Sequence, residues 1–457
     1  MRGVRRALRG ASRWGVRALV AALALAACAH LAVAAPKKRK LPNYDNRGGP
    51  PESPARKALW VPRVLLAPAY FVTEYVVRRP LGAAVTAAEK AKVPQALYNF
   101  LMVGPTDVGV VPFFLVDFGF EPSVGLYGYW DDAGFKGHQL RFRGSTWGPK
   151  WLSGTLTERF HPARGLELTL TGTATRRPDY TFYGLGPEAR ENARVRYGAD
   201  SIDAYGQSRY DFAGRSFFEL AAGYRGVTYK DSDYDDAHLI DAVRSGALPE
   251  PAGFADGFRA GIARARIALD SRGHRHTNTG VRFELLGEGG ASLTSAGDAR
   301  GPTAGWQRYR ATLGGFFGLK RSGRLLSLDV SAQLAEPLGS SYIPFTELPA
   351  LGGSIYLSGF RGGRLRDRSS FAVMARYSWP VWMWLRGSLQ GGVGNVFGER
   401  FDGFDPSKFR GSLALGFEGY TSQDSVLEAL VGFGTETFKS GADLNTARII
   451  VGARRGF

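Results

Sequence analysis

Few residues in this chain have the types and spacing that chemistry needs. Outside the first 35 positions the histidines are His138, His161, His238, His274 and His276. Acyl transfer would call for a nucleophile held on a sharp turn, as in a Gly-x-Ser-x-Gly elbow with a base in reach. No such elbow occurs in the sequence. His274-Arg275-His276 offers two imidazoles, but a zinc site wants a third Cys or His at workable spacing. The sole cysteine, Cys28, is far away in sequence. Asp231, Asp233, Asp235 and Asp236 are close enough to suggest calcium. A calcium loop, however, is closed by Gly at its sixth position and Glu at its twelfth, and here these are Asp236 and Ala242. We read the acidic run as a solvated loop and the His pair as a polar turn. No enzyme activity, metal or cofactor is expected.

The other concentration of unusual residues is Leu348 to Pro380. Gly352, Gly353, Gly359, Gly362 and Gly363 free the backbone to fold back on itself. Arg361, Arg364, Arg366, Asp367 and Arg368 follow closely, too polar for a lipid-facing surface. The next segment puts Phe371, Val373, Ala375, Tyr377 and Trp379 on one face of a strand and Met374, Arg376 and Ser378 on the other.

The elements that must position this loop are read from period and address. Residues 1–35 have the form of a secretory signal peptide. Six arginines, from Arg2 to Arg17, precede an apolar core over Ala18 to Ala29, and Ala32-Val33-Ala34 offers a cleavage site. Leu25-Ala26-Ala27-Cys28 also fits a lipoprotein cleavage box, and the two readings stay open. Loss of the six leader arginines from a formal charge of +18 leaves about +12. A basic excess can mark nucleic-acid binding. In an exported chain, anionic headgroups and a basic lumen account for it better, and no nucleic acid is expected. Residues 36–57, rich in Lys, Gly and Pro, read as a disordered linker. Residues 58–104 carry a helical period broken by Pro62, Pro68 and Pro80. This segment is expected to close the periplasmic end of the molecule, or to act as a plug or docking element.

From 105 to 457 the period becomes 2. Val281, Phe283 and Leu285 alternate with Arg282 and Glu284, and Leu326, Leu328 and Val330 alternate with Ser327, Asp329 and Ser331. Short turns at 161–165, 212–215, 320–323, 380–383 and 421–425 alternate with long loops at 177–199, 230–256, 290–302 and 336–366. That asymmetry marks a transmembrane β-barrel, whose strands hide from hydropathy because alternate residues meet lipid. The expected fold is all-β, an antiparallel transmembrane barrel of about sixteen strands, with the organising loop between strands eleven and twelve. The last strand ends on Phe457.

A long Gly- and Arg-rich loop feeding such a strand resembles the inward-folded loop of the BamA/TamA superfamily (the bacterial surface antigen type of barrel). The family's Val/Leu-Arg-Gly-Phe/Tyr motif corresponds here to Leu357, Ser358, Gly359 and Phe360. Asp270-Ser271-Arg272, Phe182-Tyr183-Gly184-Leu185-Gly186 and Gly394-Asn395-Val396-Phe397 are similar to further family motifs. The resemblance implies that the loop reaches into the lumen and that Phe457 carries a signal for the outer-membrane assembly machinery. In the family the loop arginine pairs with acids on strands twelve and thirteen. This chain has Ser358 for that arginine, Arg376 at the usual acidic position and Gly392 where Asp is expected. Arg361 or Arg364 is a candidate substitute, with Asp367 or Glu418 as counter-charge. No periplasmic module of the family's helix-and-strand (POTRA) type is expected.

The resemblance implies an outer-membrane protein of a Gram-negative bacterium that inserts proteins into that membrane or moves them across it. It would work through a seam between Val108–Phe118 and Arg448–Phe457. Its partners would be outer-membrane lipids, the assembly machinery and unfolded exported proteins. Two alternatives remain: an anion-favouring pore lined by Arg264, Arg266, Arg282, Arg386, Arg410 and Arg448, and a structural or surface-antigen barrel without transport.

Overall fold

A computed structural model of the chain describes residues 107–455, except Asp235 and residues 274–278, 294–302, 320–322, 382–384 and 421–424; before them it describes Tyr75 and Arg79 alone. The leader, the linker and, those two residues apart, the 58–104 segment therefore lie outside the described residues, as do His274, His276 and Phe457. The chain divides at Val93 into two units. In the first, the Arg79 guanidinium lies 4.2 Å over the Tyr75 ring. The second is built almost wholly of β-strands.

These strands are β1 (Val108–Asp117), β2 (Ser123–Asp131), β3 (Gln139–Thr146), β4 (Leu152–Ala163), β5 (Leu166–Phe182) and β6 (Val195–Ala213). They continue with β7 (Ser216–Lys230), β8 (Phe258–Asp270), β9 (Gly280–Ser292), β10 (Gly305–Leu319) and β11 (Arg324–Pro337). A long loop carries the small hairpin β12 (Ala350–Leu351) and β13 (Leu365–Arg366). The barrel resumes with β14 (Ser369–Pro380), β15 (Leu385–Phe397), β16 (Arg410–Tyr420), β17 (Ser425–Thr437) and β18 (Leu444–Arg455). Each barrel strand is antiparallel to its neighbours, and β1 closes on β18 to give sixteen staves. The expected barrel is what the chain forms, and the loop falls between staves eleven and twelve, β11 and β14.

The period-2 pattern maps onto two faces. Leu326, Leu328, Leu313, Phe317, Val281 and Leu285 point outward and are exposed. Ser327, Ser331 and Glu284, which alternate with them along the strands, are buried on the lumenal side. An apolar outer surface of this extent is a liability in water and the required face in lipid. Among the described residues no helix is long and apolar enough to cross a membrane. The staves make their backbone hydrogen bonds sideways to their neighbours, as a membrane-crossing barrel requires.

One end is capped. The β5–β6, β7–β8 and β11–β14 loops fold together, the second bearing a short helix, α1 (Leu239–Arg244). Phe182, Tyr197, Tyr229, Leu239, Phe254, Phe258, Trp306 and Phe345 form one buried cluster. Phe345 lies at its centre, 4.9 Å from the Tyr229 ring and 5.3 Å from that of Tyr197. Each such side chain removed from water contributes roughly 1.5–3 kcal/mol, so the cap is a packed core.

Wall height is uneven. β1, β2 and β3 have 10, 9 and 8 residues. β5, β6 and β7 on the far side have 17, 19 and 15. The low stretch of wall is the one next to the closure.

Candidate functional site: the lumenal loop and the seam

The loop after β11 descends into the lumen and docks by its tip. Leu357, Ser358 and Phe360 are each 0% exposed. Leu357 takes a left-handed backbone (φ 54°) that an apolar residue adopts only when its surroundings hold it there. Its N–H donates to the thioether of Met374 on β14 at 3.3 Å. The Ser358 hydroxyl donates to Gln390 Oε1 on β15 at 2.9 Å, and the Gly359 N–H donates to Ser412 Oγ on β16 at 2.8 Å. Phe360 packs with Leu351, Leu357, Leu365, Ala372, Met374 and Val396. Glycine is needed at 359 because a Cβ there would run into the Phe433 carbonyl of β17. The opposing Gly432 matches it, since its own Cβ would sit 2.8 Å from the Ser358 oxygen. Loop and wall thus meet backbone to backbone.

The tip is held without charge. An arginine buried there would need acids, whereas a serine needs one partner, and Gln390 supplies it. Gln390 Oε1 also accepts from Arg376 Nη2 at 3.3 Å, and Arg376 reaches Glu418 at 3.5 Å. Arg376 therefore sits one step below the tip, on the lumenal wall. Gly392 lies beneath Leu357 and Met374, where a Cβ would collide with the Met374 sulfur.

The charged residues of the loop act higher up. Arg364, 1% exposed, donates to Glu191 Oε2 at 2.8 Å and to the Ala189 carbonyl at 2.9 Å, and its guanidinium lies 4.4 Å over the Tyr183 ring. Arg410 of β16 donates to the same Ala189 carbonyl at 2.9 Å and to Glu436 at 2.6 Å. Asn395 donates to Pro187 O at 3.0 Å, so the aromatic-glycine loop after β5 is clamped from three elements. This corrects the expected counter-charges. Arg364 takes Glu191, and Glu418 serves Arg376, because Arg364 lies past the tip, level with the β5–β6 loop. Burial pushes the Asp367 carboxyl up, the Arg368 N–H (2.7 Å) and the Arg368 charge opposing this, so its nearest cation is Arg368 rather than Arg361 or Arg364. Arg361 donates to the Phe118 carbonyl at 3.3 Å.

The second feature is the closure. β1 pairs with β2 from Val108↔Trp130 to Leu115↔Ser123. With β18 it pairs, among the described residues, at Leu115↔Gly452, Val116↔Val451 and Asp117↔Ile450 alone. Inside, Arg448 Nη2 donates to Asp117 Oδ2 across the joint at 2.8 Å. Most of the β1 edge, residues 108–114, is thus left without a ladder partner among the described residues.

Other sequence candidates resolve into local structure. Asp270 and Arg272 form a buried bidentate pair (2.6 and 2.9 Å) with the guanidinium 3.6 Å over Phe316. Among the described residues the acidic loop is engaged locally: Asp233 pairs with Lys150 at 2.7 Å, Asp236 pairs with Arg196 at 2.8 Å, and Asp231 is hydrogen-bonded to His238 Nδ1 at 2.8 Å. Sequence reasoning missed Gln390, Ser412, Glu191 and the Asp117–Arg448 pair. Gln390 had a signal, lying two residues from Gly392 and so on the same face of β15.

Two solved structures resemble the chain. One is BamA from Haemophilus ducreyi lacking POTRA domains 1–3, with a TM-score of 0.52, 12% identity, and coverage of 75% of this chain and 70% of that one. The other is CdiB from Escherichia coli, with a TM-score of 0.51, 11% identity, and coverage of 77% and 64%. No protein-family model and no curated protein sequence matches the chain. Identities this low speak to the fold. The fold that these two structures share with this chain is the closed antiparallel barrel, of sixteen staves here.

Proposed function

We propose that this protein inserts polypeptides into the outer membrane of a Gram-negative bacterium, or moves them across it, at the β1–β18 seam. The observation that carries the reading is the short closure: among the described residues three register pairs join the first and last staves, beside the shortest strands of the wall. A free β1 edge offers backbone N–H and C=O groups to an incoming strand, and lateral opening lets the new hairpin meet lipid. The resemblance to BamA/TamA barrels supports the same role. Outer-membrane lipids, the assembly machinery that recognises a terminal aromatic, and unfolded exported chains are the partners this reading calls for.

The pore alternative is less well supported. Most of the arginines that would select anions have an acid beside them: Arg264 has Glu288 (2.6 Å), Arg266 (3.1 Å) and Arg282 share Glu284, and Arg410 has Glu436. Arg386 donates to the Gly323 carbonyl. A cap with a packed aromatic core also covers one end. The test is reconstitution of the purified protein in liposomes with an unfolded outer-membrane barrel as substrate. Faster folding of that substrate than in empty liposomes supports the proposal. Steady anion-selective conductance in planar bilayers without any such acceleration refutes it.

A further inference from the structure

The turn between β1 and β2 is held by an unusual number of side chains from distant elements. Asp117 takes Arg448 of β18. The Phe118 carbonyl accepts from Arg361 of the lumenal loop at 3.3 Å, and that guanidinium also lies 5.6 Å over the Phe120 ring. The Gly119 carbonyl accepts from Arg196 of β6 at 2.6 Å. The Glu121 N–H donates to Asp179 of β5 at 2.6 Å.

These anchors fall on two sides of the seam. Arg196 and Asp179 tie the turn to the N-terminal half of the barrel. Arg448 ties it directly to the last strand. Arg361 belongs with the C-terminal half as well, since it follows Phe360 and the tip is docked on Met374, Gln390 and Ser412. Beyond its ladder the seam is crossed by the Phe118 N–H donating to the Ile449 carbonyl (2.9 Å), by Leu115 packing against the Ala414, Leu430 and Ile450 cluster, by Arg448–Asp117, and by Arg361–Phe118 through the docked loop.

We infer that docking of the lumenal loop and closure of the seam are one coupled equilibrium, transmitted by Arg361. A substrate that lifts the tip off β14–β16 removes the Arg361 clasp and leaves, among the described residues, the three ladder pairs, the Phe118–Ile449 backbone bond and one ion pair to hold the joint. Opening then carries the β1–β2 turn with the N-terminal half, because Arg196 and Asp179 stay attached. The coupling is reciprocal, so forcing the seam open loosens the tip. This inference rests on the seam proposed above as the working site.

Its test needs no substrate. Spin labels at Val124→Cys and Val431→Cys, outward-facing positions one strand to either side of the joint, report seam width in the reconstituted barrel, whose residues 36–457 carry no native cysteine. A second pair, Ile355→Cys and Thr155→Cys, reports the tip. Arg361→Gln should raise the wide-seam population about ten-fold, the effect of losing a charge-assisted hydrogen bond. Gly359→Ala, which displaces the tip, should widen the seam in the parent and add nothing once Arg361 is replaced. A displaced tip with an unchanged seam, or the same widening with and without Arg361, overturns the inference. Because no substrate is present, a failure of polypeptide insertion would count against the proposed function and leave this coupling standing.

Discussion

Replacing Ser358 by arginine tests how the loop tip is held. Ser358 is 0% exposed and spends its hydroxyl on Gln390 at 2.9 Å. A guanidinium there would have to compete with Arg376 for Glu418. An uncompensated buried charge costs about 3–5 kcal/mol, against about 1 kcal/mol for Ser358→Ala, which forfeits one neutral hydrogen bond. Gln390→Glu places a carboxylate where the serine now donates, so Ser358→Arg with Gln390→Glu should recover about 2 kcal/mol or more. Gly392→Asp, at the position the family resemblance points to, should recover nothing, because its Cβ meets the Met374 sulfur. Thermal unfolding in detergent of the two double-mutant cycles gives the coupling directly. Rescue by Gly392→Asp, or no coupling between 358 and 390, would show that the tip does not sit on β15 as described.

Phe360→Ala should destabilise the docked loop by about 3 kcal/mol or more, since it vacates a fully buried aromatic site; limited proteolysis of residues 338–368 would register it, and unchanged protection would refute the packing. Burial opposes ionisation of Asp236, but Arg196 and Arg194 outweigh it and hold the carboxyl below its ordinary value. Its stabilising contribution is therefore complete above the ordinary carboxylate pKa of about 3.9 and lost as pH falls through the lowered value. The β7–β8 loop should accordingly become protease-sensitive in strong acid, whereas Asp236→Asn should be sensitive at every pH; equal protection of both proteins at neutral pH would refute the clamp. Deleting Phe457 should lower the amount of assembled, heat-modifiable barrel while export continues, and normal barrel levels would place the assembly signal elsewhere.

The barrel was legible because its physics is local and repetitive. Alternation such as Leu326-Ser327-Leu328-Asp329 fixes which face meets lipid, and the turn lengths fix how many staves there are. The inward loop was legible from its glycines, because Gly359 makes an approach that any Cβ would block. Its partners were not. That Ser358 meets Gln390 rather than position 392 depends on the depth to which the loop descends, a long-range quantity with no periodic trace. Arg364–Glu191 joins residues 173 positions apart and Arg448–Asp117 joins residues 331 apart. A list of lumenal arginines suggested a selective pore, and only their placement opposite Glu284, Glu288 and Glu436 showed them to be paired.

The most direct test of the account is a reversible lock on the seam. Val116 and Val451 are register partners in the closure, so Val116→Cys with Val451→Cys should form a disulfide across it, residues 36–457 having no cysteine of their own. The account predicts that the oxidised protein, still a folded barrel, fails to accelerate insertion of an unfolded outer-membrane substrate into liposomes, and that reduction restores the activity. Full activity of the oxidised, cross-linked barrel would contradict it.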